Sequence, residues 1–431
     1  MTKPVFARLM ALVLIALMLP TTHAAAQGSD MVTYRVKAGD TLYNIARRYF
    51  WKESDALKVQ RINRVTNPRR MPVNTRLRIP REFLSYKPVE LKVDEHSGEV
   101  KVDNKPAFRG MLLGRDVQTS ANGFVTFTSK GFGGRISVPS NSVAELVRAL
   151  RYDMGGILDV EFKVVRGRGS ASSPRMKRYD RLRMSTPVGT SAVRGTEFRV
   201  GYDEASARGT TEVTKGTVAV AVGGREKSTP AGFGVASTAS GVGEQETLLP
   251  ATALIGGNAT QSGETMKFAI APQDGAVAYR VQIGTDADLT DMVSETVVTD
   301  PEAVFDGLKN GTYSARVRAI SATGLEGFDS KSYQFRRQRL GVAPEDPSPL
   351  AFGTLFSWLA AGEGETVYAF QLWNKDNPDT LIVDEAGLTK TSLLLTELDG
   401  GTYQWRVAVM QADNGEFYKV WGEPKELEIG E

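Results

Sequence analysis

The pattern of hydrophobic and polar positions changes along the chain, and its one clearly helical part lies near the start. Val32–Val36 alternates like a strand, and the apolar positions of Leu42–Tyr49 then recur at i, i+3, i+4 and i+7, which is one face of a helix. Ala56–Ile62 repeats an apolar residue every third position, and Thr75–Ile79 alternates again. Residues 31–82 therefore predict a small domain with the order strand, helix, helix, strand.

From residue 89 onward the pattern predicts one short strand after another, separated by Gly, Asn, Ser or Pro. The predicted strands are Glu99–Val102, Gly123–Thr128, Asp159–Val165, Arg181–Ser185, Glu197–Val200, Thr211–Val213 and Thr217–Val222. Val143–Arg151 instead favours one or two helical turns, and the basic, Gly/Ser-rich stretch Arg166–Arg183 indicates a mobile loop. We expect a β-rich domain over residues 90–245, followed by a linker at 246–262, where charge and aromatic content fall.

The last part of the chain contains an internal repeat with an offset of 90 residues, the size of one β-sandwich. Leu308–Tyr313 (LKNGTY) matches Leu398–Tyr403 (LDGGTY), and an Arg-Val pair follows each at the same distance. In both copies we expect the Gly-Thr turn to start a strand and the Tyr hydroxyl to hydrogen-bond back across a corner of the sandwich. The sequence predicts tandem sandwiches at 263–340 and 349–431, joined by the Pro-rich stretch Gly341–Pro349, and a multidomain, mainly β chain.

The first residues carry the pattern of a secretory signal peptide. Lys3 and Arg8 precede an apolar run, Leu9–Leu19, which is shorter than the about 20 residues that a membrane span needs. Ala24–Ala26 offers small residues where a signal peptidase cleaves, so we expect residues 1–26 to be removed and the chain to be exported to the periplasm. An uncleaved anchor helix is the alternative. No later apolar stretch is long enough to span a bilayer, so we expect no transmembrane segment in the mature chain.

The composition excludes several kinds of chemistry. The chain has no Cys, which rules out disulfides, Cys-ligated zinc and thiol catalysis. Of its two His, His23 falls in the predicted signal peptide, and His96 falls in a polar stretch that indicates a solvated turn. A multi-histidine metal site is therefore excluded, and we expect no catalytic residue, no metal and no cofactor.

Charge is distributed unevenly, although the net charge is only +3. Residues 31–88 hold 14 Lys/Arg against 4 Asp/Glu, whereas residues 341–431 hold 5 against 16. The basic end could face phosphates of the envelope or the acidic stem peptides of a cell wall, and a plain solvated surface is equally open. Nucleic acid is not expected as a partner of an exported chain.

The first domain resembles a LysM domain. Tyr34–Leu42 (YRVKAGDTL), followed by Ile45-Ala46, matches the opening of the family, and Asn67-Pro68 and Leu77–Pro80 (LRIP) match its closing part. Asn74 stands where the family usually has Gly, and Asn is the next-best residue for a positive φ. The resemblance implies a βααβ fold that binds glycans containing N-acetylglucosamine, here peptidoglycan.

The resemblance places the glycan between two loops, Gly39–Leu42 and Asn67–Val73, whose backbone groups bind the acetamido group of the sugar. Gly39 lets the glycan come close to the backbone, while Asp40 or Thr41 also caps the helix that follows. The predicted glycan-binding residues are Gly39, Asp40, Thr41, Leu42, Asn67, Pro68, Met71 and Val73.

Residues 95–240 resemble a FecR-type periplasmic domain, most specifically in Val193–Phe198 (VRGTEF), with support from Lys215–Val218 (KGTV) and Ala231–Val235 (AGFGV). The family implies protein docking or signal relay, here toward an unidentified envelope protein. The candidate docking motif is Val193, Arg194, Gly195, Thr196, Glu197 and Phe198. The alternative is a structural hairpin, in which Gly195 makes the turn, Val193 and Phe198 enter the core, and Arg194 pairs with Glu197. The anti-sigma mechanism of the family is not expected, because a signal peptide and the LysM-like domain stand where those proteins have a cytoplasmic segment and a membrane span.

The two repeats resemble fibronectin type III or related immunoglobulin-like modules, with Trp358 as a further shared feature. Such modules mostly space or dock other domains. The resemblances imply a non-catalytic periplasmic protein that binds peptidoglycan and anchors a FecR-like interaction domain to the cell wall. Two alternatives stay open: a peptidoglycan hydrolase targeted to the wall, for which two carboxylates would suffice, and a surface adhesin.

Overall fold

The computed structural model describes residues 30–174, 176–193, 195–413 and 416–430, so the predicted signal peptide, residues 1–26, lies outside it. The chain divides into two compact units. The first comprises the described residues up to Tyr86 together with Tyr152–Gly155, and the second comprises Lys87–Arg151 and the residues from Gly156 onward. Strands hold 56% of the residues and helices 6%, which confirms the mainly β fold. Every helix in the described ranges is too short or too polar to cross a bilayer.

The first unit packs two short helices on a two-stranded antiparallel sheet. Its elements are β1 (Met31–Arg35), α1 (Leu42–Tyr49), a 3-10 turn (Glu53–Asp55), α2 (Ala56–Ile62) and β2 (Arg76–Pro80), so the predicted order of elements is confirmed. In the sheet, Val32 lies opposite Ile79 and Tyr34 lies opposite Leu77, which puts the buried side chains of both strands on one face. The fully buried helix residues Leu42, Ile45, Ala46 and Val59 pack in the same core.

Seventeen strands, called here the central sheets, form one hydrogen-bonded system. They are β3 (Tyr86–Pro88), β4 (Lys92–Ser97), β5 (Val100–Val102), β6 (Lys105–Pro106), β7 (Asp116–Thr119), β8 (Phe124–Thr128), β9 (Arg135–Val138), β10 (Val143–Tyr152), β11 (Leu158–Ser172), β12 (Arg181–Ser185), β13 (Thr190–Val193), β14 (Glu197–Asp203), β15 (Arg208–Lys215), β16 (Thr217–Val222), β17 (Arg225–Pro230), β18 (Phe233–Thr238) and β19 (Gly241–Thr247).

The longest of these strands, β11, has 15 residues and joins two sets of strands. Its first part, Asp159–Lys163, pairs in parallel with β12, whereas Gly167–Ser172 pairs antiparallel with β14. The buried side chains of both sets belong to one core, which includes Phe127, Phe162 and Phe198. Strand β11 therefore belongs to both sets of strands, and the buried side chains of the two sets form a single hydrophobic core.

Two expectations about local structure in the central sheets are wrong. Val143–Arg151 lies in strand β10 rather than in helical turns, because pairing with β7 and β11 satisfies its backbone and buries Ala144 and Ala149. His96 lies in strand β4 opposite Val125 and is half-buried, rather than in a solvated turn, because the polar stretch around it continues the pairing with β8.

Much of Arg166–Arg183, which was expected to be a loop, also belongs to strands β11 and β12. The cationic side chains can lie in sheets because carboxylates face them. Arg168 Nη2 lies 2.7 Å from Glu212 Oε1, and Arg183 Nη2 lies 2.8 Å from Asp159 Oδ1. Such partners from other strands are not visible in the local sequence.

Two β-sandwiches follow the central sheets. The first sandwich contains β20 (Leu254–Ile255), β21 (Met266–Ile270), β22 (Ala276–Gly284), β23 (Met292–Val298), β24 (Glu302–Phe305), β25 (Gly311–Ser321) and β26 (Tyr333–Arg337), with sheet orders β20-β21-β24 and β23-β22-β25-β26. The second sandwich contains β27 (Leu340–Pro344), β28 (Ser348–Leu350), β29 (Gly353–Gly362), β30 (Val367–Asn374), β31 (Asn377–Leu388), β32 (Ser392–Leu395), β33 (Gly401–Asp413), β34 (Glu416–Trp421) and β35 (Lys425–Ile429). Its core holds Trp358 and Trp405.

Both sandwiches contain the hydrogen bond predicted from the repeat. The Tyr313 hydroxyl donates to the carbonyl oxygen of Lys309 at 3.0 Å, and the Tyr403 hydroxyl donates to the carbonyl oxygen of Asp399 at 2.8 Å. Strands β25 and β33 each begin at the Gly of the repeated Gly-Thr pair. The two copies of the repeat therefore share one local structure, the tyrosine corner of a β-sandwich.

Two stretches that were expected to join domains also contain strands. β20 lies within residues 246–262 and pairs with β21, and its Leu254 is buried. Most of β27, together with the start of β28, lies within the Pro-rich stretch Gly341–Pro349. Proline is tolerated in such edge strands because the missing N–H is not needed there. The outer limits of the two sandwiches, 263–340 and 349–431, stay predictions.

A buried cluster of charges joins the central sheets to the first sandwich within the second unit. Arg168 contacts Glu212 at 2.7 Å and Glu326 at 3.1 Å, and Glu326 also binds Arg280 and Arg318 at 2.7 and 2.9 Å. Burial alone would raise the pKa of Glu326, but the surrounding guanidinium groups hold it well below its usual range. Removing one partner would leave a buried charge uncompensated. Loss of a partner should therefore destabilise the packing of the first sandwich on the central sheets.

Candidate functional site

The two loops predicted to bind a ligand meet at the N-terminal end of α1. The backbone N–H of Leu42 donates to the carbonyl oxygen of Pro68 at 2.8 Å and so ties the first loop to the second. Thr41 is the N-cap residue of α1, and its Oγ1 accepts the backbone N–H of Asn44 at 3.0 Å. This bond satisfies one of the free N–H groups of the first helical turn, and it confirms the predicted cap.

Gly39 forms the exposed tip of the first loop. Its φ of +83° lies in the left-handed region that favours glycine, and a Cβ added to it would meet no atom within 4 Å. The space above Gly39 is therefore open to a ligand that approaches the backbone. Asp40 is fixed beside it, because its Oδ2 accepts the Tyr34 hydroxyl and the Lys37 backbone N–H, both at 2.7 Å. Burial raises the pKa of Tyr34, and the hydrogen bond to Asp40 raises it further.

The second loop begins with a turn at Asn67. The side-chain oxygen of Asn67 accepts the backbone N–H of Arg69 at 3.0 Å, which is the geometry of an Asx turn. Pro68 is half-buried, Val73 is 56% exposed, and Met71 is buried beneath the loop. The loop therefore offers a small apolar surface beside backbone groups that the turn holds in place.

Two asparagines hold the frame behind the loops. Asn74 has a φ of +69°, which confirms the positive φ expected there, and its N–H donates to the carbonyl of Val36 at 2.8 Å. Asn63 clamps Arg78 from both sides: its Nδ2 donates to the Arg78 carbonyl at 2.8 Å, and its Oδ1 accepts the Arg78 N–H at 2.7 Å. These two bonds were not predicted from the sequence, because Asn63 and Arg78 are 15 positions apart in the chain.

The structure brings the predicted glycan-binding residues together at one end of the first unit. Gly39, Asn67 and Val73 are exposed, and Asp40, Thr41 and Pro68 are half-buried. Leu42 and Met71 are buried, so their side chains support the loops from below, and the surface that a ligand can touch comes from the other six residues.

The candidate docking motif is mostly internal. Val193, Thr196 and Phe198 are buried in the central sheets. Gly195 has a φ of +84°, which allows the turn between β13 and β14. These positions match the structural-hairpin interpretation, in which Val193 and Phe198 belong to the core.

Glu197 of the same motif is partly exposed. Glu197 leaves 47% of its side chain exposed and pairs with Lys215 at 3.4 Å. Arg194, the expected partner of Glu197, lies outside the described residues. Within the described part of the motif, Glu197 is therefore the side chain that a partner protein could contact.

The first unit is strongly basic. Residues 30–86 hold 13 Lys/Arg and 5 Asp/Glu, and Arg69 and Arg70 are exposed on the second loop. A positive surface of this kind attracts ligands that carry negative charge. Within the ranges that the structure describes, no group of three or more His, Asp and Glu is arranged to hold a metal ion.

Comparison with known proteins identifies the fold of the first unit. Residues 34–80 match the model of the LysM domain. A comparison of the whole sequence with curated proteins gave no match.

Three solved structures show distant likenesses to parts of this chain. A candidate anti-sigma factor from Parabacteroides distasonis is 13% identical over 38% of this chain and 60% of its own length, with a TM-score of 0.20. The FN1–FN3 domains of chicken CNTN1 are 15% identical over 57% of this chain and 95% of that one, with a TM-score of 0.22. A segment of two fibronectin type III domains from chicken tenascin is 14% identical over 42% and 99%, with a TM-score of 0.24. At TM-scores this low, these likenesses support no inference about this chain.

Proposed function

We propose that this chain is a non-catalytic, peptidoglycan-binding protein of the bacterial envelope. Its first unit anchors the protein to the cell wall. The match of residues 34–80 to the LysM domain carries this proposal, because the family binds glycans that contain N-acetylglucosamine. The open backbone at Gly39 and the bond between Leu42 and Pro68 support it, since they form a ligand-accessible site from two loops.

The site would bind a single sugar weakly. Backbone N–H and C=O groups of the loops would pair with the acetamido group, and Pro68 and Val73 would contact its methyl group. Each hydrogen bond replaces one to water and contributes only about 0.5–1.5 kcal/mol. We expect a dissociation constant between millimolar and micromolar, about −4 to −8 kcal/mol. A cell wall presents many such sugars, so retention at the wall does not require tight binding of any one.

Sedimentation with purified, insoluble peptidoglycan tests the proposal. The full chain should pellet with the wall material. Gly39→Val should lower the bound fraction several-fold, because the new side chain fills the space that the glycan needs and strains the backbone. Gly110→Val is the matched control: Gly110 has a φ of +84°, has no neighbouring atom within 4 Å of an added Cβ, and lies in the second unit. Equal loss in both variants, or no pelleting of the unchanged chain, would contradict the proposal.

The periplasmic location rests on the first residues of the sequence. N-terminal sequencing of the protein from cell envelopes should begin at Gln27. A chain that still begins at Met1 would contradict the predicted cleavage. Labelling of intact cells with a reagent that does not cross the outer membrane separates the periplasmic proposal, which predicts no labelling, from the surface-adhesin alternative.

The strands after the first unit are proposed to present a surface to another envelope protein. The FecR-type resemblance points to the central sheets as the docking part, with the sandwiches as spacers or secondary contacts. The most buried carboxylates, Glu212 and Glu326, contact arginines, which suits a structural role better than acid–base catalysis. Crosslinking from the central sheets in intact cells should capture one protein reproducibly. A cleared zone in a gel with embedded peptidoglycan would instead favour the hydrolase alternative.

A further inference from the structure

The first unit has a second exposed feature, which lies away from the two loops. Trp51, just after α1, is 56% exposed, whereas the indoles of Trp358, Trp373 and Trp405 are buried and that of Trp421 is half-buried. Moving a large aromatic ring out of water lowers the free energy. Exposed Trp and Tyr are therefore enriched where proteins bind their ligands. The exposure of Trp51 on a small domain therefore marks a candidate binding surface.

A row of contacts holds the ring of Trp51 in place. Its centroid lies 5.0 Å from that of Tyr86 in an edge-to-face arrangement, and Tyr86 lies 5.7 Å from Tyr152 in the same manner. Tyr152 is buried, and the guanidinium of Arg81 lies 5.2 Å from its ring centroid. The backbone N–H of Trp51 donates to the carbonyl of Phe83 at 3.0 Å. Because these contacts already order the indole, little conformational entropy is lost when a ligand packs on it.

Charged groups border this ring. Arg47 and Glu53 form an ion pair at 3.5 Å across the segment that carries Trp51, with 72% and 61% of their side chains exposed. Lys52 is exposed next to the indole along the chain. A pyranose ring has a C–H face that packs on an aromatic ring and hydroxyls that bind charged groups around it. The excess of basic residues in this unit favours a glycan that carries carboxylates over a neutral one.

We infer that Trp51 and Tyr86 form a second glycan subsite, which binds a pyranose ring of a carboxylate-bearing glycan such as peptidoglycan. The inference rests on the proposed function and adds a subsite at the opposite end of α1 from the two loops. α1 has 8 residues, and at about 1.5 Å of rise per residue the two subsites are separated by about 12 Å. A single sugar contacts one subsite only. A glycan strand long enough to reach both subsites binds more tightly, because binding at the first subsite raises the effective concentration of the glycan at the second.

The test uses the full chain and soluble peptidoglycan glycan strands that have been fractionated by length. Trp51→Ala should lower the affinity for long strands about ten-fold but leave that for a disaccharide unchanged. Trp51→Phe should retain most of the affinity, because it keeps an aromatic face. Tyr43→Ala is the matched control, since it removes another exposed ring, on α1, and should bind as the unchanged chain does. Long strands should also shift the fluorescence of the unchanged chain, because Trp51 is its most exposed indole.

Two results separate this inference from the proposed function. If Trp51→Ala binds long and short strands as the unchanged chain does, the second subsite does not exist, while the loop site stands. If the unchanged chain binds no glycan of any length, the proposed function itself fails. Loss of protein crosslinking in Trp51→Ala, with normal glycan binding, would show that the ring contacts a protein and would overturn the inference. The thermal unfolding of Trp51→Phe and Trp51→Ala, measured first, shows that a loss of binding is not a loss of folding.

Discussion

The backbone N–H of Leu42 donates to the carbonyl oxygen of Pro68 at 2.8 Å, and this bond joins the two loops of the candidate glycan site. The side chain of Leu42 is fully buried beneath them. Neither loop can form the site alone. Because Leu42 joins the loops through its backbone, the packing of its side chain in the core sets the geometry that a glycan would contact.

Leu42→Ala should therefore disrupt the site through the core. Truncating a fully buried Leu costs about 2–5 kcal/mol of folding stability, and glycan binding should fall with it. Tyr43→Ala, at the next position and 39% exposed, should change stability by less than about 0.5 kcal/mol. Hydrogen exchange of the backbone amides in residues 30–86 measures both effects, and equal protection in the two variants would show that Leu42 does not support the loops.

Thr41→Ala should weaken α1 because it removes the hydroxyl that caps the helix. The variant loses the hydrogen bond from Asn44 N–H to Thr41 Oγ1, which is worth about 1 kcal/mol at an N-cap position. Thr41→Ser keeps the hydroxyl and should exchange like the unchanged protein. Amide exchange in the first turn of α1 is the measurement, and faster exchange in the Ser variant as well would assign the effect to the lost methyl group instead.

The charge cluster in the second unit, which Asp329 joins through its ion pair with Arg318, predicts a loss of stability at low pH. Burial alone would raise the pKa of Asp329, but Arg318 and Arg316 lower it to about 2. Because the unfolded value is about 3.9, the ionised Asp329 stabilises the fold above about pH 4, and this contribution is lost as the pH falls toward 2. Melting temperatures measured between pH 5 and 2 should fall less steeply for Asp329→Asn than for the unchanged chain. Parallel curves would mean that Asp329 does not contribute to the acid sensitivity.

The two tyrosine corners should differ in strength. Tyr403 is buried, so Tyr403→Phe removes a hydrogen bond whose donor is shielded from water and should cost about 1 kcal/mol. Tyr313 is half-buried, and water can replace its hydroxyl at Lys309, so Tyr313→Phe should cost less. Calorimetric unfolding of the two variants compares them directly, and a larger effect at Tyr313 would contradict this account.

The candidate docking motif can be divided by burial. Phe198→Ala should destabilise the central sheets by about 3–5 kcal/mol, because it removes a large side chain from their core. Glu197→Ala removes only an exposed ion pair with Lys215, so the melting temperature should hardly change. If Glu197→Ala nevertheless abolishes crosslinking to the envelope partner, the motif is a docking surface. If crosslinking persists, the described part of the motif has a structural role only.

The features that the sequence predicted correctly depend on residues close together in the chain. The face of Leu42–Tyr49, the cap at Thr41 and the positive φ at Asn74 are each decided within a few positions. The bonds of Tyr313 and Tyr403 reach back four residues. Such interactions form in any context that keeps the local backbone, and for that reason a pattern of residues reveals them.

Only the tertiary structure decided the state of Val143–Arg151 and of the arginines in β11. Val143–Arg151 was expected to form helical turns but is a strand, because β7 and β11 form hydrogen bonds with it on its two sides. The sequence predicts Arg168 to be a loop residue, yet it lies between Glu212 of β15 and Glu326, which follows β25 in the first sandwich. Whether such a charge is solvated or buried depends on the distance to partners far away in the chain, and the local sequence contains no information about that distance.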